Sequence, residues 1–315
     1  MRNRITIVGA GQTGSTAAQW LAAKETGDII LLDIADGLAQ GKALDLLEAL
    51  PIIHSDVMVR GVNRYEETAG SDVVIITAGI ARKPGMSRED LLKTNADIVR
   101  SSILASCAQS PNAIFIILTN PLDTMAFLAK QVTRLPKARV IGQAGVLDSS
   151  RMQAFVAMEL GVSVENVHAY VMGGHGDEMV PLLRHSNVAG TPLTELFSPE
   201  RLEAIIDRTR KGGAEIVSLL KTGSAFYAPG AALAQMVDAI LKDKHLILPC
   251  STYLEGEYGL RDIYFGVPAQ LGRTGVEKVV EYRLTDEEKA ALKKSADSVS
   301  KSIAHLKQIL QPVKN

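Results

Sequence analysis

Over roughly the first 140 residues, short apolar runs alternate with stretches whose apolar residues recur every three or four positions. The runs are Ile5–Val8, Ile29–Leu32, Val57–Val59, Val73–Thr77, Ile114–Leu118 and Val140–Gly142. Most are too short for helices and rich in Ile and Val, as strands buried on both faces require. Between them lie helix-like stretches at Ser15–Lys24, Gly37–Leu47, Glu89–Ala108 and Leu122–Val132. Strand–helix alternation of this kind predicts an α/β fold, a doubly wound parallel sheet with right-handed crossovers.

Beyond about residue 145 the pattern changes. A helix is expected after Asp148, a strand over His168–Met172, and more helix through Ser198–Leu220. From Leu246 to Tyr282 short runs broken by Glu255-Gly256, Gly266 and Gly272–Gly275 read as antiparallel strands. The chain closes on a helix announced by Thr285 and Glu288, a capping box, with Leu292, Ala296, Val299, Ile303, Leu306 and Leu310 along one face. The expected division is a nucleotide-type domain over residues 1–143 and a mixed α+β substrate domain over 144–315.

Composition narrows the function classes. Lys plus Arg is 34 and Asp plus Glu is 35, a net charge of -1, which gives nucleic acid or an anionic membrane no electrostatic hold. The longest wholly apolar run, Ala113–Leu118, is about six residues and far short of a bilayer span. Arg2 and Arg4 precede an apolar stretch, but glycines interrupt it before an h-region or cleavage site can form. Two cysteines, Cys107 and Cys250, make neither a disulfide framework nor a cysteine-based zinc site, and no pair of histidines has metal-ligand spacing. A soluble cytoplasmic protein without a metal is expected.

Ile5–Val8 runs straight into Gly9-Ala10-Gly11-Gln12-Thr13-Gly14, with a helix-like stretch following. Strand, glycine turn and helix form the Rossmann-type context for a dinucleotide pyrophosphate. Gly9 permits the turn, Gly11 admits the phosphates, Gly14 lets helix and strand close up, and the helix N-terminus offers free N–H groups. Asp33 ends the second run about twenty residues beyond Gly11, where a carboxylate binds the ribose hydroxyls and repels a 2′-phosphate. NAD is therefore expected over NADP, although the glycine motif alone also suits FAD.

Four further segments carry candidate chemistry. Gly173-Gly174-His175-Gly176-Asp177-Glu178 places an imidazole on a glycine-rich turn, able to exchange a proton near neutral pH. Asp148 and Arg151 sit three apart on a helix, so they share a face. Asp148 there can orient a catalytic imidazole and Arg151 can grip a carboxylate, while a surface ion pair satisfies the same spacing. The loop Ala81–Arg88 gathers Arg82, Lys83 and Arg88 beside Pro84 and Gly85 at a strand's carboxyl end, which suits a charged lid. Leu118-Thr119-Asn120-Pro121 ends another strand and offers an amide to substrate and cofactor.

In this order and spacing, GAGQTG, TAGIARKPGMSR, TNPLD, VLDSSR and GGHGDEMVP resemble the lactate/malate dehydrogenase family across essentially the whole chain, closest to its lactate-dehydrogenase-like malate dehydrogenases. The resemblance implies that His175 is the proton donor and acceptor, paired with Asp148, and that Arg151 binds the C1 carboxylate. It implies that Arg88 polarises the reacting carbonyl and that Asn120 touches substrate and nicotinamide. Gly9 to Gly14, Asp33, Asn95, Leu118, Thr119 and Asn120 would contact NAD. Lactate enzymes carry Gln where this chain has Arg82, so the implied substrate is a dicarboxylate, malate or oxaloacetate; Ala225, where lactate enzymes place Thr, fits a roomier pocket.

The nearest rival is the same machinery acting on lactate/pyruvate or another 2-hydroxy acid, and two further classes fit less well. Short-chain dehydrogenases need a Tyr-x-x-x-Lys pair, and none of the seven tyrosines has Lys four residues on. A non-catalytic NAD-sensing module would need only the first 140 or so residues and has no use for His175 and its partners. The resemblance also implies a homo-oligomer, dimer or tetramer. The small-residue helix Ala39–Leu44 suits close packing against a neighbour or, equally, against its own sheet.

Overall fold

The chain is described as a computed structural model covering residues 2–80 and 87–310, without the side chain of Arg88. In chain order the elements are β1 (Arg4–Val8), α1 (Gln12–Ala23), β2 (Asp28–Leu32), α2 (Leu38–Ala49), β3 (Val59–Val62), β4 (Val73–Ile76), α3 (Arg88–Gln109), β5 (Ile114–Ile117), α4 (Leu122–Thr133), β6 (Val140–Gly142) and α5 (Gly145–Leu160). There follow β7 (Val167–His168), β8 (Val171–Met172), β9 (Val180–Pro181), β10 (Asn187–Val188), β11 (Thr191–Pro192), α6 (Leu193–Leu196), α7 (Pro199–Leu220), α8 (Tyr227–Leu241), β12 (Leu246–Glu255), β13 (Arg261–Gly272), β14 (Gly275–Val279) and α9 (Asp286–Ile309).

The first six strands run parallel in one sheet, whose full order is β14-β13-β12-β6-β5-β4-β1-β2-β3. This is the expected doubly wound α/β architecture. Each strand sends alternate side chains to opposite faces, and the division is visible residue by residue. Val8, Ile76 and Ile117 join a core with α3, α4 and α9, whereas Ile7, Ile75 and Ile116 join one with α1, α2 and α8. Burial on both faces explains why the strands read as unbroken apolar runs. A smaller third core, with Met152, Val156, Val171, Leu202 and Ile205, holds α5 and α7 against the short strands beyond residue 160.

The structure corrects several boundaries. β3 is Val59–Val62 rather than Val57–Val59. It is the sheet's edge, so its pairing with Ile29–Leu32 tolerates an exposed Arg60, and Gly61 lets the α2 backbone come close. His168–Met172 is not one strand: Val167–His168 pairs with β10, and Val171–Met172 pairs with β9 in another sheet. The antiparallel strands from Leu246 onward continue the main sheet, Ser251 pairing with Gly142. α8 escaped the sequence pattern because Pro229 and Gly230 stand in its first turn and resemble a loop, yet it packs on α1 and fills one face of the sheet.

α9 begins as expected, with Thr285 and Glu288 bonding reciprocally in a capping box, a cap contributing about 1 kcal/mol. Ala39 and Ala43 of α2 face its own sheet; the large apolar residues that α2 and the turn after it leave exposed are Leu38, Leu44, Ile52 and Ile53. Among the described residues no helix is long and apolar enough to cross a membrane. Cys107 and Cys250 are free thiols.

Candidate active site

The strand order reverses between β1 and β4, which opens a crevice at their carboxyl ends. Gly9 bends there with φ +105°, and a Cβ on Gly14 would lie 1.9 Å from Gly9 O, so only glycines allow α1 to start this close to β1. Gly11 caps α1 without a side chain, and nothing lies within 4 Å of where its Cβ would be. The first N–H groups of α1 thus face open space with a partial positive charge, a cradle that fits a pyrophosphate. Ala10 is buried, while Gln12 and Thr13 begin the helix. Asp33 Oδ2 accepts the Ala10 N–H at 2.8 Å and Oδ1 accepts the Ala35 N–H at 3.0 Å. The Asp33 carboxylate is thereby fixed against the glycine turn.

On the other side of the crevice β4 and β5 end together. Leu118 is half-buried; Thr119 Oγ1 donates to Ala78 O at 2.6 Å; Asn120 is exposed ahead of α4, joined to Pro121 by a cis peptide. Asn95, expected at the cofactor, is 1% exposed with its amide already used. Oδ1 accepts the Ile80 N–H at 2.8 Å, and Nδ2 donates to Ile80 O at 3.1 Å and Asn120 O at 2.8 Å. It ties the two strand ends together and so shapes the crevice through their backbones, not through a free amide.

His175 stands on the loop between β8 and β9, and three consecutive peptide groups pin that loop. Gly173 N–H donates to Gly266 O of β13 at 2.9 Å, Gly174 N–H to Ser295 Oγ of α9 at 3.0 Å, and His175 N–H to Asp123 Oδ2 of α4 at 2.8 Å. The imidazole Nδ1 meets Asp148 Oδ2 at 2.8 Å, while Asp148 Oδ1 accepts Arg151 Nη1 at 3.1 Å. Asp148 is 2% exposed, so its charge acts in a poorly solvated setting and is matched by these two partners. Asp148 and Arg151 share a face of α5, which starts at Gly145, before Asp148 rather than after it. Gly212 of α7 lies over the Arg151 stem, where a Cβ would come within 3.2 Å of its Cδ, and Arg151 Nε is buried without a partner among the described residues.

Burial pulls the His175 pKa down, but the charge and hydrogen bond of Asp148, with a further contribution from Asp123, outweigh both that and the opposing Arg151 charge. The net result lies above the ordinary 6.5. Asp123 is shifted upward by its burial, against hydrogen bonds from Ser251 Oγ and the His175 N–H. His175 and Asn120 line a cleft of about 790 Å³ whose far wall is α9 with Ser298, Ser302 and His305. Arg82 lies outside the described residues, and of Arg88 only the backbone, at the start of α3, is described. Asp123, Ser251, Gly266 and Ser295 were not anticipated. Asp123 did stand in the TNPLD segment, but as an acid in the first turn of a helix it carries no sign of what it touches.

The halves of this site correspond to known sequence families. Residues 3–142 match the lactate/malate dehydrogenase NAD binding domain, and residues 145–310 the lactate/malate dehydrogenase alpha/beta C-terminal domain. The chain belongs to the lactate/malate dehydrogenase family. It is 63% identical over 307 residues to the malate dehydrogenase of Roseiflexus sp. (strain RS-1), covering 98% of this chain and 99% of that one. The solved malate dehydrogenase of Picrophilus torridus superposes with a TM-score of 0.96 at 45% identity, covering 98% of each chain. A lactate dehydrogenase of Cryptosporidium parvum, solved with lactic acid and nicotinamide adenine dinucleotide, superposes with a TM-score of 0.95 at 40% identity over 99% of each chain. The family is one of oxidoreductases, and its N-terminal domain here is an NAD-binding domain. Backbone likeness extends to lactate as well as malate enzymes, so side chains must carry the choice of substrate.

Proposed function

We propose that this chain interconverts malate and oxaloacetate with NAD. One observation carries the chemistry: Asp148 holds His175 with one oxygen and Arg151 with the other. His175, its Nδ1 committed to Asp148, has Nε2 left to give a proton to the substrate oxygen or take one from it. Arg151 binds the substrate C1 carboxylate through its remaining donors, Asn120 bonds the substrate, and Arg88 stabilises charge on the reacting oxygen. Bound NAD supplies the hydride acceptor and NADH the donor. Gly9, Ala10, Gly11, Gln12, Thr13, Gly14 and Asp33 hold the adenosine and pyrophosphate half, with Leu118, Thr119 and Asn120 at the nicotinamide half and Asn95 acting through the loop backbones. In this reading residues 1–143 bind cofactor and carry Arg82, Arg88 and Asn120, while 144–315 bring His175, Asp148 and Arg151, although β12 to β14 share the first unit's sheet. The 63% identical relative named a malate dehydrogenase and the presence of Arg82 favour the dicarboxylate.

The test is NADH consumption measured in parallel with oxaloacetate and pyruvate, then with NADPH. Oxaloacetate with NADH is expected to be the fastest pairing, and Asp33→Ala should narrow the gap between the two cofactors by removing the repulsion of the 2′-phosphate. Faster use of pyruvate would move the chain to the lactate branch. Equal use of NADPH by the unaltered chain would remove the role given to Asp33.

We further propose a cytoplasmic homo-oligomer. The free thiols suit a reducing compartment. The apolar side chains that α2 and the following turn leave exposed, Leu44 at 56% and Ile52 at 80%, would be covered by a second copy. Light scattering after size exclusion should return a multiple of 33.8 kDa; a monomer would refute the assembly.

A further inference from the structure

We infer that Asp123 is a positioning residue for His175: its carboxylate anchors the backbone of the proton-transfer residue and adds a second negative charge behind the imidazole. This rests on the acid–base role proposed for His175. Asp123 is 5% exposed, and its two oxygens take one bond each, from the His175 N–H at 2.8 Å and from Ser251 Oγ at 2.6 Å. An acid serving only the N-terminal dipole of α4 would do so at the surface without the cost of burial. Here both donors converge on it from other elements, the His175 loop and β12, and both favour the ionised form against the burial that raises its pKa.

Placement gives these bonds a purpose. Asn120 and Asp123 stand three positions apart across the start of α4, so a single turn of chain carries the exposed amide and the anchor of the His175 backbone. The anchors at Gly173 and Gly174 stop short of His175 itself. Asp148 fixes the ring and Asp123 the peptide, and two points of attachment define the direction of Nε2 where one would leave it free to swing.

Among the described residues, the charges that face the imidazole are few. Asp148 and Arg151 come from α5 and Asp123 from α4. Glu89 of α3, His305 of α9 and the loop's own Asp177 and Glu178 line the same cleft, Glu178 being paired with Lys294 at 2.9 Å. Asp148 and Asp123 both favour the imidazolium, and Asp123 is the one of the two that does not touch the ring.

The experiment uses the full chain with Asp123→Ala and Asp123→Asn. Melting temperature, NADH affinity by fluorescence, kcat and KM are measured, and the His175 ring is titrated by NMR without substrate or cofactor. Asp123→Ala is expected to lower kcat on the order of ten- to a hundredfold, the scale of a displaced catalytic group, with NADH affinity unchanged. Asp123→Asn keeps an oxygen for the His175 N–H and should recover most of that kcat, while its His175 titrates at lower pH than in the unaltered chain. Wild-type kcat in a less stable Asp123→Ala protein would reduce Asp123 to a structural acid. An unmoved titration in Asp123→Asn would equally overturn the inference. The titration needs no turnover, so it stands apart from the substrate reading, which fails separately if the unaltered chain reduces no 2-oxo acid.

Discussion

Replacing His175 with Asn should leave NADH binding nearly intact and lower turnover by on the order of 100- to 10,000-fold, the usual range for loss of general acid–base catalysis. The two effects separate because the glycine turn and Asp33 belong to β1, α1 and β2, whereas His175 hangs from β8, α4 and α9. Asn is close in size and can still hydrogen-bond Asp148, so the Asp148–Arg151 pair is retained and the lost function is proton transfer alone. The pH dependence has a definite sign. The pKa of His175 is raised, so the imidazolium persists to higher pH than in a free histidine. Oxaloacetate reduction, which needs the protonated ring, should be full below that pKa and fall as pH rises through it. Malate oxidation, which needs the neutral ring, should rise over the same interval, and both trends should vanish in the variant. Steady-state rates across pH, beside NADH fluorescence titration, check this; a His175→Asn enzyme with near-normal turnover would remove His175 from the mechanism.

Arg82→Gln should reduce oxaloacetate kcat/KM by on the order of a hundredfold or more while pyruvate use stays level or rises. Oxaloacetate carries one carboxylate more than pyruvate, and a dry site cannot take up that charge unpaired without a penalty of several kcal/mol. Among the described residues lining the cleft, the acids Glu89, Asp123, Asp177 and Glu178 would repel it, and His175 and His305 are the basic groups. Arg151 is assigned to the other carboxylate. Further cations stand in the sequence Ala81–Arg88, where Arg82 is six positions before Arg88. A desolvated hydrogen bond to a charge is worth roughly 3 kcal/mol, which is the expected hundredfold. With pyruvate bound, the unaltered chain would instead leave the Arg82 charge without a partner, so one residue serves both attraction and rejection. Equal losses on the two substrates would mean that Arg82 serves the loop in general and that discrimination lies elsewhere.

Where the sequence was legible, the signal was local and doubly constrained. β1, β4, β5 and β6 read as apolar runs because both faces are covered; the edge strand β3, exposed at Arg60, did not. The cofactor cradle was legible because Gly9 and Gly14 are demanded by backbone geometry within one turn of chain. The α5 pair was legible because helical spacing puts residues three apart on one face. The spacing was also met by a surface ion pair, and the burial of Asp148 excluded that.

By itself, then, the sequence determined the alternation of elements, the glycine turn that opens α1, the acid that ends the second strand and the identity of the charged groups. Each of these depends on neighbours a few residues apart, which periodicity and turn chemistry record. Only the tertiary structure decided what holds His175. Its loop is pinned by Asp123, Gly266 and Ser295, and its ring by Asp148, contacts that join α4, β13, α9 and α5 across large separations in the chain. It also decided that Asn95 is a brace, that Ala39 and Ala43 turn inward, and that the strands after Leu246 extend the first sheet. The reason is common to all of them: a buried polar group must find its partner wherever packing brings one, and spacing along the chain holds no record of which distant donor that will be.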